Sequence, residues 1–223
     1  MTIESEVQPI TPYSKIVDYE KSCEIVRSVQ KIGLKVVLTT GVYDLFHYKH
    51  AESLACISLL GNFTIVGIPG DLEVSKAASQ RIQSKDNNGP VIDFEKRAKM
   101  VSHLTYVNLI FKKTTSKLDL ITNIQPDVLA QSITSGYHVI NEVLELKKYF
   151  ASKIKNDNLI LGLSSRHCEI VFLDDVVNGY ASIIKSTDAL EKSKLWEESR
   201  FSDDKFHGSM IKKEIIRRAS INK

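Results

Sequence analysis

His47 and His50 are the two residues of this chain whose type and spacing are best suited to chemistry. They close the run Val36-Val37-Leu38-Thr39-Thr40-Gly41-Val42-Tyr43-Asp44-Leu45-Phe46-His47-Tyr48-Lys49-His50, in which an apolar stretch turns through small residues before the imidazoles arrive. A spacing of three places both rings on one face of any helix that begins there. A protonated imidazole donates to non-bridging phosphate oxygens. A helix N-terminus adds unpaired N–H groups and a dipole that favours the same anion. The order of residues therefore suits a site where backbone amides and two imidazoles converge on phosphate. Taken alone, such a pair is more often a surface or capping feature. Zinc ligation would need a third ligand, and none stands nearby in sequence.

The elements around the pair must carry it to an open edge. Val36 to Thr39 read as a buried strand, and Gly41 permits a tight exit from it. In all, strands are expected at 35–39, 63–68, 105–111, 127–130 and 169–173, each short and apolar on both faces. Helices are expected at 50–60, 93–104 and 138–152, with Asp93 capping the second of these. Ile16, Val17, Tyr19, Cys23, Ile25, Val26 and Val29 form a helical stripe from Lys15 to Lys31, stopped by Gly33. Buried strands alternating with helices imply an α/β fold, a Rossmann-like doubly wound parallel sheet of about five strands with helices on both faces. Ligands of such sheets lie beyond the carboxyl ends of the strands, where the Thr39-Thr40-Gly41 turn falls. Residues 79–90 are polar and read as a mobile loop. Residues 1–14 form a lead-in, 15–190 the main domain and 191–223 a C-terminal helical extension, in which Met210, Ile211, Ile215 and Ile216 share a face.

The bulk numbers are those of an ordinary globular chain: 223 residues, 43% hydrophobic and 26% charged. A net charge of +3 argues against nucleic acid as a partner. Cys23, Cys56 and Cys168 have no metal-type spacing and read as reduced thiols of a cytosolic protein. The first residues lack the basic-then-apolar order of a signal peptide, and the apolar stretch Leu54–Ile68 is too short to span a bilayer. The expected setting is cytoplasmic, away from the membrane.

The segment from Gly41 resembles the first signature of the cytidylyltransferase-like nucleotidyltransferase superfamily, Gly-x-(Phe/Tyr)-Asp-x-x-His-x-Gly-His. Gly41, Tyr43, Asp44, His47 and His50 match. On either side, Lys15-Ile16-Val17, Ile65-Val66-Gly67 to Asp71, Glu95-Lys96-Arg97-Ala98, Tyr106-Val107-Asn108 and Gln125-Pro126-Asp127-Val128-Leu129 resemble further blocks in order. The approach from Lys15-Ile16-Val17 through a helix to Lys35-Val36-Val37 resembles that of the adenylyltransferase domain of ADP-heptose synthase, and the chain also resembles glycerol-3-phosphate cytidylyltransferase. The resemblance implies that a phosphate monoester attacks the α-phosphate of CTP or ATP, joining the nucleotide to a small phosphorylated sugar or polyol and releasing pyrophosphate. It implies that His47 and His50 are catalytic, and that Thr39, Thr40, Gly41, Tyr43, Asp44, Arg97 and Ser182 bind nucleotide; Lys49, outside the pattern, is either harmless or adds a nucleotide-binding charge near phosphate. It also implies Mg²⁺ bridging the phosphates, and a homodimer.

Several positions depart from the pattern. Lys49 stands where the family has its second glycine, and Gly89 precedes Pro90 where a basic residue is usual. Gln131-Ser132-Ile133-Thr134 replaces Lys-Gly-x-Asp. The final Ser-Thr signature is reduced to Ser182, with the segment around Ser209 as a rival. Lys76, Arg81 and Lys85 are alternative loop contacts to the triphosphate. These departures leave open a nucleotide-binding sensor or scaffold protein of the same fold.

Overall fold

Val36–Thr40 is buried at every position, as a strand covered on both faces must be. In the computed structural model, which describes residues 11–81, 89–133, 137–156, 168–174, 183–184, 188–189 and 191–195, it is the central strand of a sheet. In chain order the strands are β1 (Ile16–Val17), β2 (Val36–Thr40), β3 (Phe63–Pro69), β4 (Leu109–Lys113), β5 (Val128–Ser132), β6 (Glu169–Leu173) and β7 (Ile183–Ile184). Their spatial order is β1-β4-β3-β2-β5-β6-β7. Every pairing is parallel except that of β7 with β6. The five expected strands are present, and two short edge strands extend the sheet.

Ile16 and Val17 were expected to open a helix; instead they pair with Ile110 and Phe111. The reason is local: the carboxylate of Asp18 accepts the Lys21 amide at 2.6 Å and so fixes the helix start one residue later. Two β-branched residues just before a cap take the extended form readily.

The helices are α1 (Tyr19–Lys31), α2 (Tyr48–Ser58), α3 (Asp71–Arg81), α4 (Phe94–Ser102), α5 (Lys117–Ile124) and α6 (Tyr137–Asn156). Residues from α1, α5 and α6 join Val36, Leu38, Ile65, Phe111 and Leu129 in one core. On the opposite face, Leu54 and Ile57 of α2 and Ala98 and Val101 of α4 lie over Val37, Val66, Ile68 and Ile110. The sheet is doubly wound and Rossmann-like. From β2 the chain winds outward through β3 and β4, then returns to lay β5 on the other side of β2. The reversal lies between β2 and β5, the place where such sheets open a ligand crevice.

Two helices run through segments not expected to be helical. α3 reaches Arg81, so residues 79–81 of the expected loop are helical, its first turn carrying Asp71 and Glu73. α5 opens on a capping box, in which Ser116 Oγ accepts the Asp119 amide and Asp119 Oδ2 accepts the Ser116 amide. Gln125, at φ 54°, closes it. No helix among the described residues is long and apolar enough to cross a membrane. The C-terminal stretch 196–223 lies outside the described residues.

Candidate active site

The loop that follows β2 is shaped by a ring and a missing side chain. A Cβ on Gly41 would stand 2.6 Å from Cζ of Tyr43 and 2.9 Å from its hydroxyl, so only glycine lets the ring fold back over the turn. Tyr43 and Leu45 both hold positive φ, 54° and 48°, a conformation that costs a non-glycine residue about 1 kcal/mol or more. Burial of Tyr43 and anchoring of the loop at both ends offset that cost. The phenol hydrogen-bonds with Thr39, and burial pushes its pKa well up, so it stays a neutral group. The Gly41 amide donates to the Gly67 carbonyl at 3.2 Å, tying the turn to β3.

His47 and His50 come together at the far end of this loop. Their ring centroids lie 4.1 Å apart with 28° between planes, a stacked pair. The helix begins earlier than expected, at Tyr48, and His47 is its N-cap in an extended conformation. The His47 amide donates to Nδ1 of His50 at 3.3 Å, an N-terminal capping contact made by an imidazole. With Nδ1 accepting, the proton of a neutral His50 ring sits on Nε2. Phe46 and Tyr43 flank the His50 ring at centroid distances of 5.4 and 5.7 Å.

Asp44 and Arg97 hold the loop from outside. Asp44 accepts the amides of Ile92 and Val91 through its two oxygens, each at 2.9 Å, joining the loop to the chain leading into α4. The N-cap of α2 is His47 rather than Asp44. Arg97 is fully buried. Its Nε donates to Ile92 O at 2.9 Å, its Nη1 to Val42 O at 2.7 Å, and its Nη2 to Pro69 O at 2.9 Å and Asp71 Oδ1 at 2.7 Å. In this structure four protein acceptors engage the Arg97 guanidinium. The guanidinium fork spans three backbone segments at once, which no other side chain can do. Asp71 also accepts the Phe94 amide at 3.2 Å. Asp93 caps α4 as expected, accepting the Lys96 amide at 2.9 Å.

A sequence profile described as cytidylyltransferase-like matches residues 38–188, a span that holds the loop, the histidine pair and the clamp around Arg97. The chain belongs to the cytidylyltransferase-like family. Among similar curated proteins, the bifunctional protein HldE of Desulfatibacillum aliphaticivorans is 28% identical over 125 residues, covering 56% of this chain and 24% of that protein. The bifunctional protein HldE of Campylobacter concisus is 34% identical over 136 residues, covering 57% of this chain and 27% of that protein. The chain thus matches about a quarter of the length of these relatives. A solved structure, the lipopolysaccharide core biosynthesis protein from Thermoplasma volcanium, is 21% identical with a TM-score of 0.47, covering 65% of this chain and all of that one.

Other positions of the cytidylyltransferase-like pattern fall in three groups. Lys49 is half-buried in the first turn of α2, in the place of the family's second glycine. Thr39 and Thr40 are buried at the end of β2, and Thr40 Oγ1 receives the side-chain amide of Gln131 at 3.4 Å. Ser182, its rival around Ser209 and the loop residue Lys85 lie outside the described residues, while Lys76 is exposed on α3. Among the described residues no group of three or more His, Cys, Asp or Glu is arranged to hold a metal ion. The two carboxylates nearest the signature loop, Asp44 and Asp71, are engaged with amides and with Arg97. The contacts of Asp44, Asp71 and Arg97 with carbonyls and amides leave no periodic trace in sequence. The Ser116-x-x-Asp119 box did leave one, and it marks α5.

Proposed function

We propose that this chain transfers a nucleotidyl group from CTP or ATP to a small phosphorylated sugar or polyol and releases pyrophosphate. The observation that carries the reading is the stacked His47–His50 pair at the N-terminus of α2, just past the carboxyl end of the central strand. A triphosphate there meets imidazole donors and the positive end of the helix together. The acceptor's phosphate oxygen forms a bond to the α-phosphorus, and the bond from that phosphorus to the bridging oxygen breaks. The acceptor is already an anion, so no protein nucleophile is required. Catalysis then rests on in-line positioning and on donors aimed at the charge that builds on the non-bridging oxygens.

Thr39, Thr40, Gly41 and Tyr43 shape the turn under the nucleotide. Lys49 adds a cation at the helix start, and Ser182 is the candidate from the final signature. Arg97 and Asp44 act through the loop. Mg²⁺ fits this donor set as an ion that arrives on triphosphate oxygens, since Mg²⁺ commonly takes only one or two carboxylates besides phosphate and water. It would neutralise the polyphosphate. The resemblance of the approach to the first strand to that of ADP-heptose synthase supports a phosphorylated sugar as acceptor. A homodimer is part of the same reading.

Pyrophosphate release tests it: the protein is incubated with Mg²⁺, each triphosphate in turn and a panel of sugar and polyol phosphates, beside a His47→Ala, His50→Ala double variant. Product from at least one pair, abolished in the variant, is the expected result. No release from any pair refutes it. A nucleotide sensor of the same fold is the second reading, favoured by the commitment of Arg97 to protein acceptors and by Lys49. Tight nucleotide binding without turnover selects it.

A further inference from the structure

Gln131 lies on β5, beside the central strand β2 at the sheet's reversal point, and is 0% exposed. Its Nε2 donates to the Ala130 carbonyl at 2.8 Å and to Thr40 Oγ1 at 3.4 Å. The carbonyl of Ala130 can only accept, so the nitrogen end of the amide must face it and the oxygen must face away. That oxygen, Oε1, is buried and has no hydrogen-bond partner among the described residues. An unsatisfied buried acceptor costs about 1–3 kcal/mol, and native structures hold few of them. Here it stands at the crevice where a doubly wound sheet takes its ligand.

The location narrows what satisfies it. Strand alternation puts Gln131 on the face of Leu129 and Thr40 on that of Leu38, the side covered by α1, α5 and α6. The histidine pair enters α2, which covers the opposite face. A ligand whose phosphates lie at His47 and His50 would therefore bring a different portion over the sheet edge to Gln131. Where the family's pattern has lysine, this chain has a neutral amide, whose unmet need is for a donor rather than an anion.

Building on the nucleotidyltransferase reading, we propose that Gln131 Oε1 is a specificity element that accepts a hydrogen bond from a neutral hydroxyl, either of the nucleotide ribose or of the phosphorylated acceptor. Thr40 holds the amide at the correct end of the crevice.

Calorimetry on the full chain tests this. CTP, ATP, their 2′-deoxy and 3′-deoxy forms, and a panel of phosphorylated polyols with their deoxy counterparts are titrated into the wild-type protein and into Gln131→Met, which keeps the side-chain length without the amide. The expected result is one hydroxyl whose removal weakens binding about tenfold in the wild type and has no effect in the variant. Weakening in ribose analogues assigns the hydroxyl to the nucleotide, and weakening in the polyol series assigns it to the acceptor. Equal affinities for the two proteins across every ligand, with nucleotide still bound, overturn the inference and leave the nucleotidyltransferase reading standing. A wild-type protein that binds neither nucleotides nor phosphorylated polyols overturns both. If Gln131→Met does not fold, the wild-type series decides alone: no hydroxyl whose loss weakens binding refutes the proposal.

Discussion

Arg97→Met distinguishes a structural guanidinium from a ligand-facing one. The substitution keeps much of the side chain's length and deletes every donor, leaving the carbonyls of Val42, Pro69 and Ile92 and the carboxylate of Asp71 without their partner. Each orphaned buried acceptor costs about 1–3 kcal/mol, and removing one member of a buried ion pair about 3–5. The Asp71 side chain is 45% exposed, so water recovers part of its loss. These terms share one side chain and do not add in full. The net expectation is a loss of about 4 kcal/mol. With a urea dependence of about 2 kcal/mol per molar, the unfolding midpoint should fall by about 2 M, read by far-ultraviolet circular dichroism at pH 7. Arg97→Lys keeps the charge beside Asp71 but cannot bridge three segments, and should lose about half as much. Nucleotide affinity is measured on the same samples at low urea. A methionine variant as stable as the wild type that has lost nucleotide binding would refute the argument, because the guanidinium would then be serving a ligand.

Three further substitutions test neighbouring parts of the site. His50→Ala removes both a proposed phosphate donor and the acceptor of the His47 amide; pyrophosphate release should fall about 10²–10³-fold and the melting temperature by about 2–4 °C, whereas His47→Ala should show the first effect with little of the second. Gly41→Ala should cost about 1–3 kcal/mol through the clash with the Tyr43 ring, and that cost should vanish in a Tyr43→Ala background; a thermal double-mutant cycle with no coupling would refute it. Burial, above all, pushes the Cys168 thiol up to about 12 from an ordinary 9.0. The fold favours the neutral thiol, so its contribution is intact below pH 9 and is lost as pH rises from 9 toward 12; the urea midpoint should fall more steeply over that range than in Cys168→Ala.

Much of this architecture was legible because it rests on periodicity. Val36–Thr40, Phe63–Pro69 and the Val171–Leu173 end of β6 are buried on both faces, the mark of strands covered in a parallel sheet. Asp93 was readable as a cap because capping has a fixed local geometry. The histidine pair was readable in spacing but not in cause: the rings meet because His47 caps the helix and His50 supports it, which an assumption of two helical positions does not contain. The protein contacts of Arg97 and Asp44 were not legible for a related reason. Their partners are backbone groups of Val42, Pro69, Val91 and Ile92, brought together only by the fold, and a carbonyl acceptor has no signature in residue type. Ile16 and Val17 were pulled into a helical stripe because two β-branched residues fit either period, and only Asp18 decides between them.

The departures from the family's pattern acquire a physical sense once the loop's supports are known. Gly41, Tyr43, Asp44 and Arg97 set the path of the chain between β2 and α2: one removes a Cβ, one fills the space, and two tie the loop to neighbouring segments. None of these contacts involves the backbone at Lys49, so a side chain in place of the second glycine leaves the positions of His47 and His50 unforced. The replaced group Gln131–Thr134 starts at the opposite face of the sheet edge, away from the imidazoles. On the proposed function, the geometry at the histidine pair therefore persists while the chemistry across the crevice changes from cationic to neutral. On that argument the altered residues bear first on which ligand is accepted, and only secondarily on whether the phosphorus is attacked.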